Sequence, residues 1–193
     1  VKELARNMSK PNTHDWEALK RLGRYLIGHK RVVLEFQRQR NVSYLDSRVD
    51  TDWAGCLKTR RSTNGGALML GNHCIKTWSS TQAVIALSSG EAEYYGIDKG
   101  ASVLLGAKSL MADLGLDMKC RLHTDSSAAK GIVSRRGLGK TKHIHTQFLW
   151  VQERLSAKDF SVHKERTDDN VGDLLTKHLP TEKCQKFLKK PGY

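Results

Sequence analysis

The stretch that most limits how this chain can fold is a long helix that the sequence predicts from Ser88 to Gly115. Ser88 is a capping residue and Gly115 a terminator. Between them Tyr94, Ile97, Ala101, Leu104, Leu105, Lys108 and Met111 recur at helical spacing. Gly96, Gly100 and Gly106 cost helix propensity, and together with Ala101 and Ala107 they let the helix lie close against a sheet.

The rest of the chain offers that sheet on both sides of the helix. Before it, Val49, Thr51 and Trp53 alternate with Arg48, Asp50 and Asp52, which predicts a strand carrying both aspartates on one face. Gly66 to Leu70 and Cys74 to Trp78 read as two more strands, with Gly71-Asn72 as a tight hairpin turn. After the helix, Cys120, Leu122 and Thr124 alternate as a fourth strand, followed by a helix from Ser126 to about Arg135. Lys142 to Ala157 reads as another helix, Asp159 to Lys164 as a fifth strand, and Asp169 to Lys177 as a last helix stopped before Pro180. This order predicts an α/β fold, a five-stranded mixed sheet in which three antiparallel strands come first and two parallel ones follow, with helices on both faces.

The ends read differently. Up to residue 44, ten basic residues stand against four acidic ones. Trp16, Leu19, Leu22, Leu26 and Ile27 predict a helix from Thr13 ended by Gly28, and Val32 to Phe36 a short strand, too little to form a core alone. The Lys-rich stretch from Thr181 to Tyr193 is expected to be a peripheral tail. The formal net charge of +13 implies a sequence-independent attraction to phosphate backbones, and so a nucleic-acid partner. Cys56, Cys74, Cys120 and Cys184 form no Cys-x-x-Cys pair, which argues against a zinc knuckle and for reduced structural thiols. No apolar run reaches the roughly 20 residues that span a bilayer, and Val1-Lys2-Glu3-Leu4 lacks the build of a signal peptide, so no membrane partner and an intracellular protein are expected.

Four acidic positions stand beside predicted strand or helix ends. Glu91 completes Ser88-x-x-Glu91, a capping box, and shares a face with Tyr94 and Tyr95 that aims it at the sheet; Glu93 points elsewhere and is expected in solvent. Asp125 is either an N-cap or a ligand at the carboxyl end of a parallel strand. Asp50 and Asp52 are not distinguished by strand geometry. Asp173 lies in the first turns of the last helix, with Asp168 and Asp169 before it as caps. If the four acids meet, they form a cage for two hard divalent cations of the kind that drive phosphodiester hydrolysis.

With these residues assembled, the chain resembles the ribonuclease H domain at the C-terminal end of the polyprotein of Copia-type LTR retrotransposons. The resemblance is carried by Val49-Asp50-Thr51-Asp52-Trp53-Ala54-Gly55, Arg60-Arg61-Ser62-Thr63-Asn64-Gly65, Ala86-Leu87-Ser88-Ser89-Gly90-Glu91-Ala92-Glu93-Tyr94, Thr124-Asp125-Ser126, Thr141-Lys142-His143-Ile144 and Gly172-Asp173-Leu174-Leu175-Thr176-Lys177. It implies a ribonuclease H-like fold over residues 42–180, after a reverse transcriptase connection segment at 1–41 and before the basic tail at 181–193. It further implies an endonuclease that cuts the RNA strand of RNA–DNA hybrids with two Mg2+ ions, for which Mn2+ can substitute. Carried over by motif, Asp50, Glu91, Asp125 and Asp173 become the catalytic metal ligands. Arg60, Arg61, Ser126, Lys140, Lys142, His143 and His163 become candidate substrate contacts, although a strand position for His163 and capping or solvated roles for the others compete. The partners implied are the hybrid and the upstream reverse transcriptase of the same polyprotein, in a cytoplasmic particle or the nucleus. A catalytically inactive hybrid-binding module is the alternative, and a related fold doing DNA strand transfer or exonuclease work is a third.

Overall fold

The structure is a computed structural model that describes residues 2–31, 33–139 and 142–189. The chain divides into two compact units, Val1–Glu35 and Phe36–Gly192. The first holds α1 (Lys2–Arg6) and α2 (Thr13–Gly28). Helix α2 starts where Asn12 and Asp15 exchange side-chain to backbone hydrogen bonds of 3.0 Å in a capping box. None of its residues is buried, so its apolar stripe forms no core within this unit. Of the strand expected at Val32 to Phe36, Val32 lies outside the described residues and 33–36 form no strand, since no neighbouring strand takes up their backbone groups.

The second unit begins ahead of residue 42. Phe36 stands edge-on to His73 with ring centroids 5.1 Å apart. Gln39 donates to Leu70 O at 3.0 Å and accepts from the Asn72 N–H at 2.7 Å, which ties this strap to the hairpin turn. The sheet is built from β1 (Tyr44–Asp52), β2 (Thr63–Leu70), β3 (His73–Thr81), β4 (Lys119–Thr124) and β5 (Ser161–Lys164). Their order across the sheet is β3-β2-β1-β4-β5; β1, β2 and β3 pair antiparallel, and β4 runs parallel to both β1 and β5. The directions are those expected from the sequence, three antiparallel strands first and two parallel ones after them.

Alternation along β1 sorts its side chains. Leu45, Ser47, Val49 and Thr51 face α3 (Ser89–Asp113), whereas Asp46, Arg48, Asp50 and Asp52 face the other way. A Cβ at Gly100 would stand 2.4 Å from Val49 Cγ1, and one at Gly96 would stand 2.4 Å from Thr51 Oγ1, so only glycine allows this approach. Gly106, by contrast, faces open space. On the same face α4 (Ser127–Ser134) and α5 (Trp150–Ser156) close the core, where Ala129, Val133 and Val151 join Leu45, Leu104 and Leu122.

The opposite face is covered by α6 (Asp173–Thr176) and α7 (Thr181–Lys189). Phe187 is fully buried in a cluster with Ala67, Met69, Cys74 and Val171, so α7, within the stretch expected as a peripheral tail, is anchored in the core, while 190–193 lie outside the described residues. A wholly buried Phe side chain contributes about 2–3 kcal/mol. Two expected helices are also shorter. The one predicted from Lys142 starts as a 3-10 turn at Thr146–Leu149 that leads into α5. The one predicted from Asp169 is a 3-10 turn at Thr167–Asp169, then α6, because Asn170 interrupts it. Asn170 is fully buried, donates to Val49 O at 2.7 Å and accepts from the Gly172 N–H at 2.9 Å. Among the described residues no helix is long and apolar enough to cross a membrane.

Candidate metal centre

Because β1 and β4 are parallel neighbours, their carboxyl ends lie on one edge of the sheet, and Asp50 and Asp125 stand there. The first turn of α3 brings a third acid, Glu93. Carboxylate oxygens of Asp50, Glu93 and Asp125 all lie within 4.8 Å of one another. Glu93 Oε2 is buried and has no hydrogen-bond partner among the described residues. Burial, then the charges of Asp50 and Asp125, push its carboxyl up to about 9, against a weaker pull from Lys177 and a backbone bond to Thr51. Asp50 is likewise raised by burial, a shift that Thr176 and Lys177 oppose.

Asp173, 1% exposed, approaches Asp50 from the other side. Lys177 Nζ bridges the two, 3.1 Å from Asp50 Oδ1 and 2.7 Å from Asp173 Oδ1. Thr176 Oγ1 donates to Asp50 Oδ2, and Lys183 Nζ stands 3.4 Å from Asp173 Oδ2. This seating requires glycine at two positions. A Cβ at Gly172 would fall 2.8 Å from the Asp50 backbone nitrogen, and one at Gly65 would fall 2.5 Å from Thr176 Cγ2.

Glu91 is not in the group. It is 1% exposed and its oxygens are already used: Oε1 accepts from the Tyr95 hydroxyl at 2.7 Å, while Oε2 accepts from the Leu87 N–H at 3.0 Å and pairs with His143 Nε2 at 2.8 Å. Burial would raise its pKa, but the bonds from His143, Tyr95 and Leu87 outweigh burial and lower it. Ser88 does cap the helix, accepting from the Glu91 N–H at 3.2 Å, and the return bond runs to Leu87. Residues two apart on a helix point about 200° apart, so only one of Glu91 and Glu93 can face Asp50. The structure faces Glu93 toward it, in place of Glu91, and the expectation of a solvated Glu93 fails. A signal was present: Glu93 lies three residues before Gly96 and seven before Gly100, on the stripe of small residues that meets the sheet. Asn170 and Lys177 were missed as well, because both act through contacts distant in sequence.

The other candidates are dispersed. Asp52 accepts from the Thr63 N–H across the β1–β2 ladder. Asp125 is not an N-cap, since Ser126 holds that place and accepts from the Ala129 N–H at 3.1 Å. Arg60 and Arg61 are exposed in the loop after β1, and Lys142 and His143 are exposed before α5; Lys140 lies outside the described residues. His163 is a strand residue of β5, bonded to Ser161 Oγ at 2.8 Å and stacked on His123.

No protein-family profile matches the chain. It is 30% identical over 185 residues to the retrovirus-related Pol polyprotein from transposon TNT 1-94 of Nicotiana tabacum, covering 94% of this chain and 14% of that protein. It is 31% identical over 195 residues to the retrovirus-related Pol polyprotein from transposon RE2 of Arabidopsis thaliana, covering 100% of this chain and 13% of that protein. The chain thus spans about one seventh of the length of the relatives it matches. Among solved structures, LC11-RNase H1, isolated from compost, is similar with a TM-score of 0.47 and 14% identity, over 76% of this chain and 99% of that one.

Proposed function

Since this chain belongs to the retrovirus-related Pol polyproteins of Copia-type retrotransposons, we propose that it is their ribonuclease H domain, a hydrolase that cuts the RNA strand of RNA–DNA hybrids. The observation that carries the reading is Glu93 Oε2, a buried carboxylate oxygen without a donor, set among the carboxylates of Asp50 and Asp125. An unneutralised buried acid is costly, and three together fit a cation from outside the chain. The donors are all oxygens, which suits Mg2+, with Mn2+ as a substitute.

Asp50, Glu93 and Asp125 would hold one ion, and Asp50 with Asp173 a second. When bound, such ions supply an activated water and stabilise the leaving 3′ oxygen. The chain's own contribution is placement. Asp50 is shared by the two halves, and its strand is fixed from below by Asn170 on Val49 O and by the backbone packed at Gly172. Glu91 takes another part: buried and fully bonded, it orients the exposed imidazole of His143 at the start of the helix that carries Glu93. His143, Lys142, Arg60 and Arg61 then serve as phosphate contacts, which fix a duplex in register without reading its sequence. The partners on this reading are the hybrid and the reverse transcriptase region of the same polyprotein, with residues 1–35 as the connection.

The test is cleavage of a labelled RNA–DNA hybrid, an RNA duplex and a DNA duplex, each with Mg2+ and with chelator. Mg2+-dependent product from the hybrid alone is expected. Salt-sensitive binding without product would make the domain a non-enzymatic hybrid-binding module. Cleavage of the DNA duplex would move it to strand transfer or exonuclease chemistry.

A further inference from the structure

The two halves of the acidic site are not equivalent. On one side Asp50, Glu93 and Asp125 meet with a carboxylate oxygen left without a donor. On the other, the space between Asp50 and Asp173 is already bridged by a cation of the chain, because Lys177 Nζ bonds to both. Lys183 takes the remaining oxygen of Asp173, and Thr176 takes that of Asp50. A divalent ion can therefore enter the first half without displacing a side chain. It can enter the second only if an ammonium leaves.

We propose that Lys177 is a built-in counter-ion that locks the Asp50–Asp173 half of the site, so that divalent cations load in sequence and the second must displace the lysine. The inference rests on the metal-site reading above and adds to it an order of loading and a residue that sets it.

Three observations support a lock that opens. Lys177 is 40% exposed along its side chain while its two partners are 1–2% exposed, so the lysine is the member free to swing into water. It stands at the C-cap of a four-residue helix, where its N–H still bonds to Asp173 O at 3.0 Å but its backbone, at φ −125° and ψ 155°, has left the helix, so no following turn packs over its side chain. Its stem is a flexible chain ending in a compact point charge, which exchanges partners more readily than a planar guanidinium would. The acids cannot follow it: Gly172 packs against Asp50, and Asn170 holds that loop to β1. Lys177 is thus a positioning residue that keeps two buried like charges apart from solvent and from each other until an ion replaces it.

The experiment is calorimetric titration of the full chain with MnCl2 in the absence of nucleic acid, for the wild type, Lys177→Met and Asp50→Asn, with melting temperatures in chelator and in saturating Mn2+. The wild type should bind two ions unequally. In Lys177→Met the weaker event should tighten by about tenfold or more, with a smaller change in the tighter one, which shares Asp50 with the lysine, and Asp50→Asn should lose both. The melting temperature of Lys177→Met should fall in chelator and recover in Mn2+, whereas a lysine with a purely structural role would lower it in both. Equal binding by the wild type and Lys177→Met, or loss of the second event, overturns the lock and leaves the metal site standing. Absence of Mn2+ binding by the wild type overturns both. Should Lys177→Met not fold, Lys177→Gln makes the same measurement.

Discussion

Asp46 and Asp50 lie four residues apart on the same face of β1, and both are buried, yet the chain treats them in opposite ways. Around Asp46 it supplies a guanidinium and an imidazole: Arg121 donates two bonds of 2.7 Å, His123 Nε2 stands at 2.7 Å, and the Arg121 guanidinium lies 4.0 Å above the Tyr44 ring. Burial would raise Asp46, but the bonds from His123 and Arg121 outweigh it and hold the carboxyl at about 2. Around Asp50 the chain supplies further acids, and Glu93 is driven up to about 9. Burial is thus no guide to purpose on this strand. What separates the structural acid from the candidate ligand is how its counter-charge is held: Asp46 has Arg121 to itself through two bonds, whereas Asp50, crowded by Glu93 and Asp125, shares one half-exposed lysine with Asp173.

The comparison breaks most visibly in activity. Asp50→Asn and Glu93→Gln should each cut Mg2+-dependent hybrid cleavage by roughly 10³-fold or more, while Asp46→Asn and Glu91→Gln keep readily measurable turnover on a labelled hybrid. The opposite outcome for the two glutamates would restore Glu91 as the ligand. Next in size, Asn170→Ala removes the bond that ties the Asp173 loop to β1 and the one that shapes the loop at Gly172, and urea unfolding should report a loss of about 2–3 kcal/mol. Asp46→Asn should cost about 2 kcal/mol at neutral pH. The sign follows from a depressed folded pKa: this stabilisation is present above the ordinary aspartate value of 3.8 and is lost as pH falls toward 2, so wild type and variant should converge in acid. Smallest, Glu93→Gln should raise the melting temperature in chelator, by roughly 2–4 °C for each 1 kcal/mol of repulsion removed. Mg2+ should narrow that gap by stabilising the wild type more.

Much of this was legible in the sequence, and for identifiable reasons. The five strands, the hairpin turn and the helix from Ser88 to Gly115 follow from local alternation, capping and termination, which the chain writes within a few residues. Asp125 was legible because the carboxyl end of a parallel strand is where ligands bind, whereas strand geometry left Asp50 and Asp52 tied and only the family motif pointed to Asp50. Glu91 was misread because a good local signal, the cap with Ser88, and a real neighbour, Tyr95, both pointed to it. The face of a helix is decided by what it packs on, and here Gly96 and Gly100 carried that information. Phe187 was read as part of a basic tail because the lysines around it dominate the composition; the single aromatic that fills the cluster under β2 is invisible to charge counting. The role of Lys177 depends on Asp50, 127 residues away, and no local pattern conveys that.

The seat of Asp173 also has a consequence in time. Its supports, Asn170, Gly172 and the helix anchored by Phe187, come late in the chain, and the bond from Asn170 reaches back 121 residues to Val49. Contacts of such separation form late in folding, after local ones have lowered the cost of closing the loop. During synthesis, β1, the start of α3 and the end of β4 emerge together well before residue 170, so a nascent domain gathers three acids while lacking the fourth. Asp173 and its supports follow the other three acids in the chain, so a chain stopped short of residue 170 should carry Asp50, Glu93 and Asp125 without the half of the site that Asp173 adds.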